Sequence, residues 1–315
     1  MNKPKRIVVA LGGNAIIKEY ERGTVPEQFA NARSSLKDVP LLIQEGYELV
    51  ITHGNGPQVG NILIRVERSI ETAYELPLGV CVAETQGEMG YMIAQTLKNF
   101  FTQSRIDKEV VALLTQVIVD PDHPDTFTPS KPIGPFLDKT QLSSLEQRMV
   151  PYVDDSGRGY RRIVPSPIPL KVVESEVIKK LIDLGVLVVA AGGGGMPVYI
   201  DHRGCLEGVD AVVDKDLASA VLGLEIGADE LIILTATEKV SLNYRTPNQI
   251  NLDHLTAEEA RKYGNEGHFP PGSMGPKIEA ALHFLEAGGS RVIITSANKL
   301  LDACHGKAGT VMTLE

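Results

Sequence analysis

Short apolar runs recur along this chain, each followed by a turn and then by a helical pattern, and they restrict its fold more than any other feature. They occupy residues 7–11, 47–52, 186–191, 230–235 and 291–296. Continuous apolar, β-branched runs of this length are typical of strands that are buried on both faces of a parallel sheet. The sequence therefore predicts an α/β fold with a mainly parallel central sheet covered by helices on both faces.

The composition supports a large folded unit and narrows the classes of function. The 315 residues are 43% hydrophobic, which is enough apolar material for a large core. A net charge of -9 argues against a nucleic-acid-binding protein, because such proteins usually carry a basic face. No apolar run approaches a membrane span, and residues 7–11 are too few for a signal peptide. We therefore expect neither a nucleic acid nor a membrane as partner.

The cysteines point to a reducing compartment. Cys81, Cys205 and Cys304 are odd in number and lie far apart. They match neither a disulfide framework nor the spacing of a zinc site. We expect free thiols, no protein metal ligands and a cytoplasmic location.

The stretches between the apolar runs allow more local predictions. Residues 26–45 and 83–101 carry apolar residues at helical spacing, and residues 110–119 read as one strand. Residues 120–135 differ from the rest, because they combine five prolines with apolar side chains and Lys131. This composition predicts a stiff excursion or lid. Lys131 is then either a surface charge or a lysine placed on a ligand.

Loops rich in glycine follow three of the predicted strands. Gly12, Gly13 and Asn14 follow the first strand, residues 54–56 (Gly-Asn-Gly) follow the second, and residues 192–195 are all glycine. Because parallel strands end at the same edge of a sheet, these loops could together offer N–H groups to a small anion. Plain turns are the alternative. His53 is interpreted as a turn residue bonded to the backbone rather than as a general base.

Two lysines stand at the start of predicted helices. Lys215 lies between Asp214 and Asp216 just before a helical run, and Lys277 follows a loop of glycine and proline. A helix N-terminus and a lysine both attract an anion, and Asp216 could hold Lys215 in place. The alternative is a solvated cap, with Asp216 as the N-cap residue and Lys215 in water.

A basic turn near residue 160 allows two interpretations. Arg158, Arg161 and Arg162 could together bind phosphate. Pairing of these arginines with the neighbouring Asp154 and Asp155 is the interpretation we prefer. The turn could belong to the same excursion as the proline-rich segment.

Glycine-rich strand ends and helix-start lysines together favour a phosphoryl-transfer site. That chemistry needs positioning and charge neutralisation more than covalent catalysis. The chain has no G-x-x-x-x-G-K-[ST] P-loop, no G-x-G-x-x-G loop after its first strand and no protein kinase motif set. It would therefore represent another type of kinase.

Seven short motifs occur in order along nearly the whole chain. They are Ala10-Leu-Gly-Gly-Asn-Ala15, Thr52-His-Gly-Asn-Gly-Pro-Gln-Val-Gly60, Pro129-Ser-Lys-Pro-Ile-Gly-Pro-Phe136, residues 155–167, Gly192-Gly-Gly-Gly-Met-Pro197, Val213-Asp-Lys-Asp216 and Gly267-His-Phe-Pro-Pro-Gly-Ser-Met-Gly-Pro-Lys277. Each motif is weak alone, but the ordered set closely resembles the carbamate kinases, a family of the amino acid kinase superfamily.

The resemblance implies reversible phosphoryl transfer between ATP and carbamate, which gives ADP and carbamoyl phosphate. Mg²⁺ would accompany the nucleotide without dedicated protein ligands. A single amino acid kinase domain, residues 1–315, would form a three-layer αβα sandwich. Within it, residues 1–206 would form the acceptor lobe, with a protruding lid at about residues 121–167, and residues 207–315 the nucleotide lobe. A homodimer, and operation toward ATP synthesis in arginine or purine fermentation, are further implications.

The resemblance also implies roles for individual residues. The catalytic residues would be Lys131, Lys215, Asp216 and Lys277. The residues that bind the acceptor and the phosphate would be Gly12, Gly13, Asn14, Gly54, Asn55, Gly193 and Gly194. The residues that bind the nucleotide would be Lys215, Thr235, Tyr244, Met274, Gly275 and Lys277.

Some positions depart from the pattern of similar relatives. The departing residues are Gly79, Glu84, Ser130 and Ala236. The first two lie near the acceptor lobe, so acceptor identity or dimer packing could differ.

Two other functions stay open. They are a kinase of the same fold acting on another small carboxylic acid and a non-catalytic nucleotide-binding sensor. The intact set of Lys131, Lys215 and Lys277 argues against the sensor.

Overall fold

A computed structural model describes residues 4–18, 21–147, 149–154 and 159–315. The strands in these ranges are β1 (Arg6–Leu11), β2 (Glu48–His53), β3 (Val110–Ala112), β4 (Gln116–Val119), β5 (Pro129–Leu137), β6 (Tyr152–Asp154), β7 (Tyr160–Pro165), β8 (Pro169–Val172), β9 (Leu187–Val189), β10 (Met196–Ile200), β11 (Leu206–Gly208), β12 (Glu230–Thr235), β13 (Ser241–Leu242), β14 (Ile250–Asn251), β15 (His254–Thr256), β16 (Arg291–Ser296) and β17 (Thr310–Thr313). The α-helices are α1 (Val25–Leu36), α2 (Val39–Gln44), α3 (Gly56–Ser69), α4 (Leu78–Ser104), α5 (Leu142–Gln147), α6 (Ser175–Asp183), α7 (Lys215–Glu225), α8 (Ala257–Asn265), α9 (Gly275–Glu286) and α10 (Leu300–Cys304).

An eight-stranded sheet forms the centre of the fold, in the order β15-β17-β16-β12-β1-β2-β9-β3. Neighbouring strands are parallel, except that β17 is antiparallel to β16. Every residue of β1 is buried, as expected for a strand that has helices on both of its faces. The predicted α/β class with a mainly parallel sheet is therefore confirmed.

The two faces of the sheet contribute to different apolar cores. Val8 belongs to a cluster that includes Phe284 of α9, whereas its neighbour Val9 belongs to a cluster with Leu36 of α1 and Met89 of α4. This division follows from the alternation of side chains along a strand. Helix layers on both faces fix the directions in which the strand ends and their loops project.

The proline-rich segment contains a strand, β5, that the sequence did not predict. β5 pairs with β7, and β7 pairs with β6, in a separate three-stranded sheet. β5 is an edge strand, and an edge strand tolerates proline because its free side needs no N–H donor. Ile133 of β5 is fully buried in a cluster with Val59 of α3, although Phe127 is largely exposed. The predicted lid and lobe boundaries stay predictions.

Two predicted elements are each divided in the structure. Residues 26–45 form α1 and α2 rather than one helix, and Pro40 lies in the first turn of α2, where proline is tolerated. Residues 110–119 form β3 in the central sheet and β4 in a second sheet. Thr115 lies between these two strands, and its backbone N–H and carbonyl both bond to the side chain of Gln86. This pair of bonds fixes the point at which the chain passes from one sheet to the other. The predicted helix at residues 83–101 is confirmed but longer, as α4.

The cysteines are free thiols, as predicted. Cys81 and Cys304 are buried, and Cys205 is exposed. Burial raises the pKa of the Cys81 thiol to about 11 and that of Cys304 to about 12, so both stay protonated near neutral pH. Among the described helices, none is both long enough and apolar enough to cross a membrane.

Candidate active site

The glycine-rich loops meet at the carboxyl edge of the central sheet. β1, β2, β9 and β12 are parallel, so the loops that follow them leave the sheet in the same direction. The N–H of Gly12 donates to the carbonyl of Leu234 at 2.9 Å, and the N–H of Gly54 donates to the carbonyl of Leu11 at 3.0 Å. These bonds connect the ends of three neighbouring strands. The predicted side-by-side arrangement of the first two loops is confirmed.

The tetraglycine segment packs directly onto the second loop. A β-carbon built on Gly193 would lie 2.2 Å from Nδ2 of Asn55, and one built on Gly194 would lie 2.4 Å from the carbonyl oxygen of Val213. Gly193 also has φ +65°, a conformation that favours glycine. The same Asn55 Nδ2 donates to Oγ1 of Thr85 at 2.8 Å. The absence of side chains thus allows three loops to lie within contact distance.

Helix α7 begins directly beside these loops. A β-carbon built on Gly54 would lie 3.2 Å from Cδ of Lys215 and 3.7 Å from the backbone nitrogen of Gly13. Ser219, one turn further along α7, donates to the carbonyl of Lys215 and lies 2.7 Å from the hydroxyl of Thr52 on β2. These contacts hold the first turn of α7 over the end of β2, and with it Lys215.

Asp216 connects two of the predicted catalytic lysines. One of its carboxylate oxygens pairs with Nζ of Lys215, and the other lies 3.3 Å from Nζ of Lys277. The side chain of Asp216 is almost completely buried. Lys277 reaches this carboxylate from the first turn of α9 and also donates to the carbonyl of Ser273 at 3.1 Å. The predicted contact between Asp216 and Lys215 is confirmed.

The solvated-cap alternative is wrong. Lys215 is buried rather than in water, and the N-cap residue of α7 is Asp214, not Asp216. Asp214 Oδ1 accepts from the N–H groups of Asp216 and Leu217. Asp214 therefore fixes the start of the helix that carries Lys215.

Asp214 also contacts Lys131, although no site role was predicted for Asp214. Nζ of Lys131, on β5 of the small sheet, lies 2.6 Å from Asp214 Oδ2. The pairing brings a lysine from a segment more than eighty residues away in sequence to the same cluster. The sequence signal for Asp214 was its place before Lys215, but only the fold places Lys131 beside it.

Burial and the neighbouring charges change the proton affinities in this cluster. Burial acts against the charge of Lys215 and outweighs the attraction of Asp216, so the pKa of Lys215 lies below its usual value. Burial also opposes the charge of Lys277, but Asp216 and Asp214 outweigh it and raise the pKa of Lys277. For Asp214, burial alone would raise the pKa, but Lys131, together with Lys277 and Lys215, outweighs burial and the pKa is lowered. Three ammonium groups against two carboxylates leave surplus positive charge for an anion.

His53 lies beneath the tetraglycine segment and is almost fully buried. Burial lowers its pKa to about 4, although the contact with the Gly54 carbonyl acts in the opposite direction. Its Nδ1 lies 3.2 Å from that carbonyl oxygen, which agrees with the predicted turn role. A β-carbon built on Gly192 would lie 2.4 Å from its Nε2. The imidazole is therefore neutral at pH 7 and enclosed by backbone.

Apart from Lys215, the residues predicted to bind the nucleotide lie at the end of β12, after β13 and at the start of α9. Thr235 ends β12, and its Cα would lie 3.7 Å from a β-carbon built on Gly12. Tyr244 lines a cleft of about 370 Å³. The other residues that line this cleft are Thr237, Glu238, Lys239, Ser241, Gln249 and Asn251. Met274 and Gly275 form the start of α9, two to three residues before Lys277.

Other predicted residues have different surroundings. The side chain of Asn14, and the whole of Asp155 and Arg158, lie outside the described residues. Arg162 pairs with Glu67 of α3 at 2.5 Å, a partner that the preferred acidic pairing did not include. Glu84 is exposed on α4, and Gly79 at the start of that helix donates its N–H to Asp210 at 3.3 Å.

The carboxylates of the site do not fit a resident magnesium ion. Mg²⁺ is usually held by one or two carboxylates together with substrate phosphates. In the described parts of the chain, no group of three or more His, Cys, Asp or Glu side chains could hold a metal. Asp214 and Asp216 already use both of their oxygens on lysines or helix N–H groups.

The sequence matches the amino acid kinase family over residues 5–296. It is 45% identical to a carbamate kinase of Pyrococcus horikoshii, over 98% of this chain and 99% of that protein. It is 44% identical to a carbamate kinase-like protein of Escherichia coli, over 96% of this chain and 97% of that protein. The structure resembles a carbamate kinase of Giardia lamblia bound to AMP-PNP, with a TM-score of 0.89 and 39% identity over 99% of each chain.

A family model that covers nearly the whole chain and relatives of this similarity define the class of protein. The chain belongs to the amino acid kinase family, and within that family to the carbamate kinases. It is therefore a phosphotransferase, and the predicted amino acid kinase-like fold is confirmed.

The neutral state of His53 predicts a specific pH dependence of stability. Its pKa is about 4 in the folded protein, against about 6.5 in an unfolded chain. Between these values the unfolded chain binds a proton that the folded protein does not, so stability falls as the pH drops from 6.5 toward 4. We expect wild type to lose up to about 1.4 kcal/mol per pH unit in this window relative to His53→Gln, measured by urea denaturation.

The exposed His202 provides the control for this experiment. His202→Gln should follow the wild-type pH dependence. NMR of the folded wild type should also show a neutral His53 imidazole at pH 5.5. A protonated imidazole at that pH, or a wild-type curve parallel to that of His53→Gln, would contradict the assignment.

Proposed function

We propose that this phosphotransferase moves the terminal phosphoryl group between ATP and carbamate, giving ADP and carbamoyl phosphate. The observation that supports the proposal is the convergence of Lys131, Lys215 and Lys277 on two carboxylates beside the glycine-rich loops. Phosphoryl transfer requires positioning of the two substrates and stabilisation of charge on the transferring group. This cluster offers three cations beside the glycine-rich loops in a largely buried site.

Each charged residue has a role in the proposed mechanism. A carbamate oxygen attacks the terminal phosphorus of ATP, and the bond from phosphorus to the ADP oxygen breaks. Lys215 and Lys277 stabilise the charge on the transferring group, and Asp216 keeps both lysines in position. Lys131 exchanges its contact with Asp214 for a contact with the acceptor. Carbamate is already an anion, so the reaction needs no general base, which fits the neutral and enclosed imidazole of His53.

The glycine-rich loops would hold the acceptor and the transferring phosphate. Gly12, Gly13, Gly54 and Asn55 lie beside Lys215 or the strand ends next to it. Gly193 and Gly194 would complete this surface because they pack onto the same loop and onto the segment before Asp214. We assign Asn14 to the same surface from its place in the first loop. Backbone N–H groups at helix starts are suited to phosphate oxygens.

The nucleotide would bind between β12 and the start of α9. Thr235 ends β12, Met274 and Gly275 form the start of the helix that carries Lys277, and Tyr244 lines a cleft together with Thr237, two residues after Thr235. The relative from Giardia lamblia is bound to the ATP analogue AMP-PNP, which supports nucleotide binding by this fold. Mg²⁺ would arrive on the nucleotide phosphates, where it would neutralise their charge.

The acceptor site favours a small acid. Lys131 supplies one compact charge, and an ammonium suits a small anion. Arg161 reaches the loop, because its Nη2 would lie 3.6 Å from a β-carbon on Gly56. However, its guanidinium donates to the carbonyl of Gly134 at 3.1 Å and lies over the ring of Phe136. It is therefore engaged within the small sheet.

The cellular setting belongs to the same proposal. We propose a cytoplasmic homodimer, which the family resemblance supports, and free thiols agree with a reducing compartment. Carbamoyl phosphate is a mixed anhydride and a strong phosphoryl donor. The net direction would therefore be ATP synthesis, in arginine or purine fermentation.

The identity of the acceptor is tested directly with alternative acids. Wild type should form ATP from MgADP and carbamoyl phosphate. With MgATP, it should phosphorylate N-acetylglutamate or aspartate at a rate at least about 100-fold lower than carbamate, because these acids need a second anion contact. The assay couples ATP formation to light emission and follows the forward reactions by ADP release. Efficient phosphorylation of a dicarboxylic acid, with no ATP from carbamoyl phosphate, would contradict carbamate as acceptor while retaining a kinase.

Lys215 and Lys277 should both be needed for the chemical step. Lys215→Ala and Lys277→Ala should each lower kcat by about 100-fold or more, because each removes charge stabilisation from the transferring group. Affinity for MgADP, measured by calorimetry, should change less. Lys98→Ala removes an exposed lysine paired with Glu109 and serves as control. Near-normal kcat in either variant would exclude that lysine from the mechanism.

A further inference from the structure

The small sheet is attached to helix α3 at a point where two backbones almost touch. A β-carbon built on Gly60 of α3 would lie 2.0 Å from the Cα of Gly134 on β5. Ile133 and Val164, from β5 and β7, pack into one apolar cluster with Val59 and Ile62 of α3. The strand that carries Lys131 therefore rests directly on the helix that follows the second glycine-rich loop.

Two adjacent arginines of β7 extend this attachment along α3. Arg161 reaches Gly56 at the start of the helix, and Arg162 pairs with Glu67 near its end. Eleven residues of α-helix separate these two contacts, which corresponds to about 16 Å. The small sheet thus contacts α3 at its start, middle and end. An attachment over this length restricts both sliding and rotation of the small sheet.

The Glu67–Arg162 pair is more than a surface contact. The two side chains are 15% and 28% exposed, and the Nη1 to Oε1 distance is 2.5 Å. Nε of Arg162 is buried and has no hydrogen-bond partner among the described residues. Removing the Glu67 carboxylate would leave a partly buried guanidinium without this compensation, a costly change. Glu67 lies near the end of α3 that is farthest from the glycine-rich loop.

We infer that the Glu67–Arg162 pair is a positioning latch that sets the place of Lys131 relative to the acceptor loop. In the pairing of β5 with β7, Arg162 lies opposite Ile133 and Val164 lies opposite Lys131. The latch is therefore two residues along β7 from the residue opposite Lys131. α3 connects the same latch to residues 54–56. The pair therefore ties the two sides of the acceptor site to one helix. This inference rests on the proposed role of Lys131 in acceptor binding.

The latch is tested by separating acceptor kinetics from nucleotide kinetics. Glu67→Gln and Arg162→Gln should each lower kcat/KM for carbamoyl phosphate by about tenfold or more, because misplacement of a reacting contact is costly. The KM for MgADP should stay within about twofold, since the nucleotide residues lie on other elements. The charge exchange Glu67→Arg with Arg162→Glu should recover most of the lost activity, as expected for a coupled pair.

Hydrogen exchange provides a readout that does not depend on the acceptor. In Glu67→Gln, the amides of β5 should exchange at least about tenfold faster, whereas those of β12 and β16 should be unchanged. Glu109→Gln breaks the exposed pair with Lys98 and serves as the matched control for both measurements.

The outcomes distinguish the latch from the proposed function. Wild-type exchange of β5 in Glu67→Gln would overturn the latch. Equal losses for MgADP and carbamoyl phosphate, with faster exchange throughout the protein, would also overturn it, since that pattern indicates general destabilisation. If wild type forms no ATP from MgADP and carbamoyl phosphate, the proposed function fails, and β5 exchange still decides the latch.

Discussion

The arrangement of the site depends on one buried carboxylate, that of Asp216. It contacts Lys215 from its own helix and Lys277 from α9, and so brings two ammonium groups together that would otherwise repel each other. Burial lowers the pKa of Lys215, which shows how little solvent remains to stabilise its charge. The cluster is therefore tolerable only with these carboxylates, or with an anion, beside the lysines. A phosphoryl group carries the negative charge that can stabilise these lysines.

The rest of the fold supports this cluster by bringing distant segments to one edge. Parallel strands deliver the glycine-rich loops, and bonds such as that from Gly54 to Leu11 keep those loops adjacent. Asp214 caps α7 and also holds Lys131, so one residue connects the start of α7 to the small sheet. Docking of the small sheet on α3 then relates Lys131 to the loop at residues 54–56. The proposed acceptor side and the proposed nucleotide side of the site would thus share α7.

Local rules predicted much of the fold from the sequence, and failed where distant contacts decide. The apolar runs identified the central strands, and the helical spacing of apolar residues in 83–101 identified most of α4. The division of residues 110–119 into two strands depends on Gln86 of helix α4, and no local pattern contains that information. Lys215, Lys277 and Asp216 stood out by their place at helix starts, whereas the pairings of Lys131 with Asp214 and of Arg162 with Glu67 arise only in the folded chain.

The turnover of Asp216→Asn tests the role of this carboxylate most directly, because asparagine keeps the shape of the side chain and removes its charge. If Asp216 holds both lysines for the chemical step, kcat should fall by about 100-fold or more while the Kd for MgADP stays within about threefold. Asp302→Asn, at a half-exposed pair with Lys299, should leave both values unchanged. A folded Asp216→Asn protein with near wild-type kcat would contradict the central place given to this carboxylate.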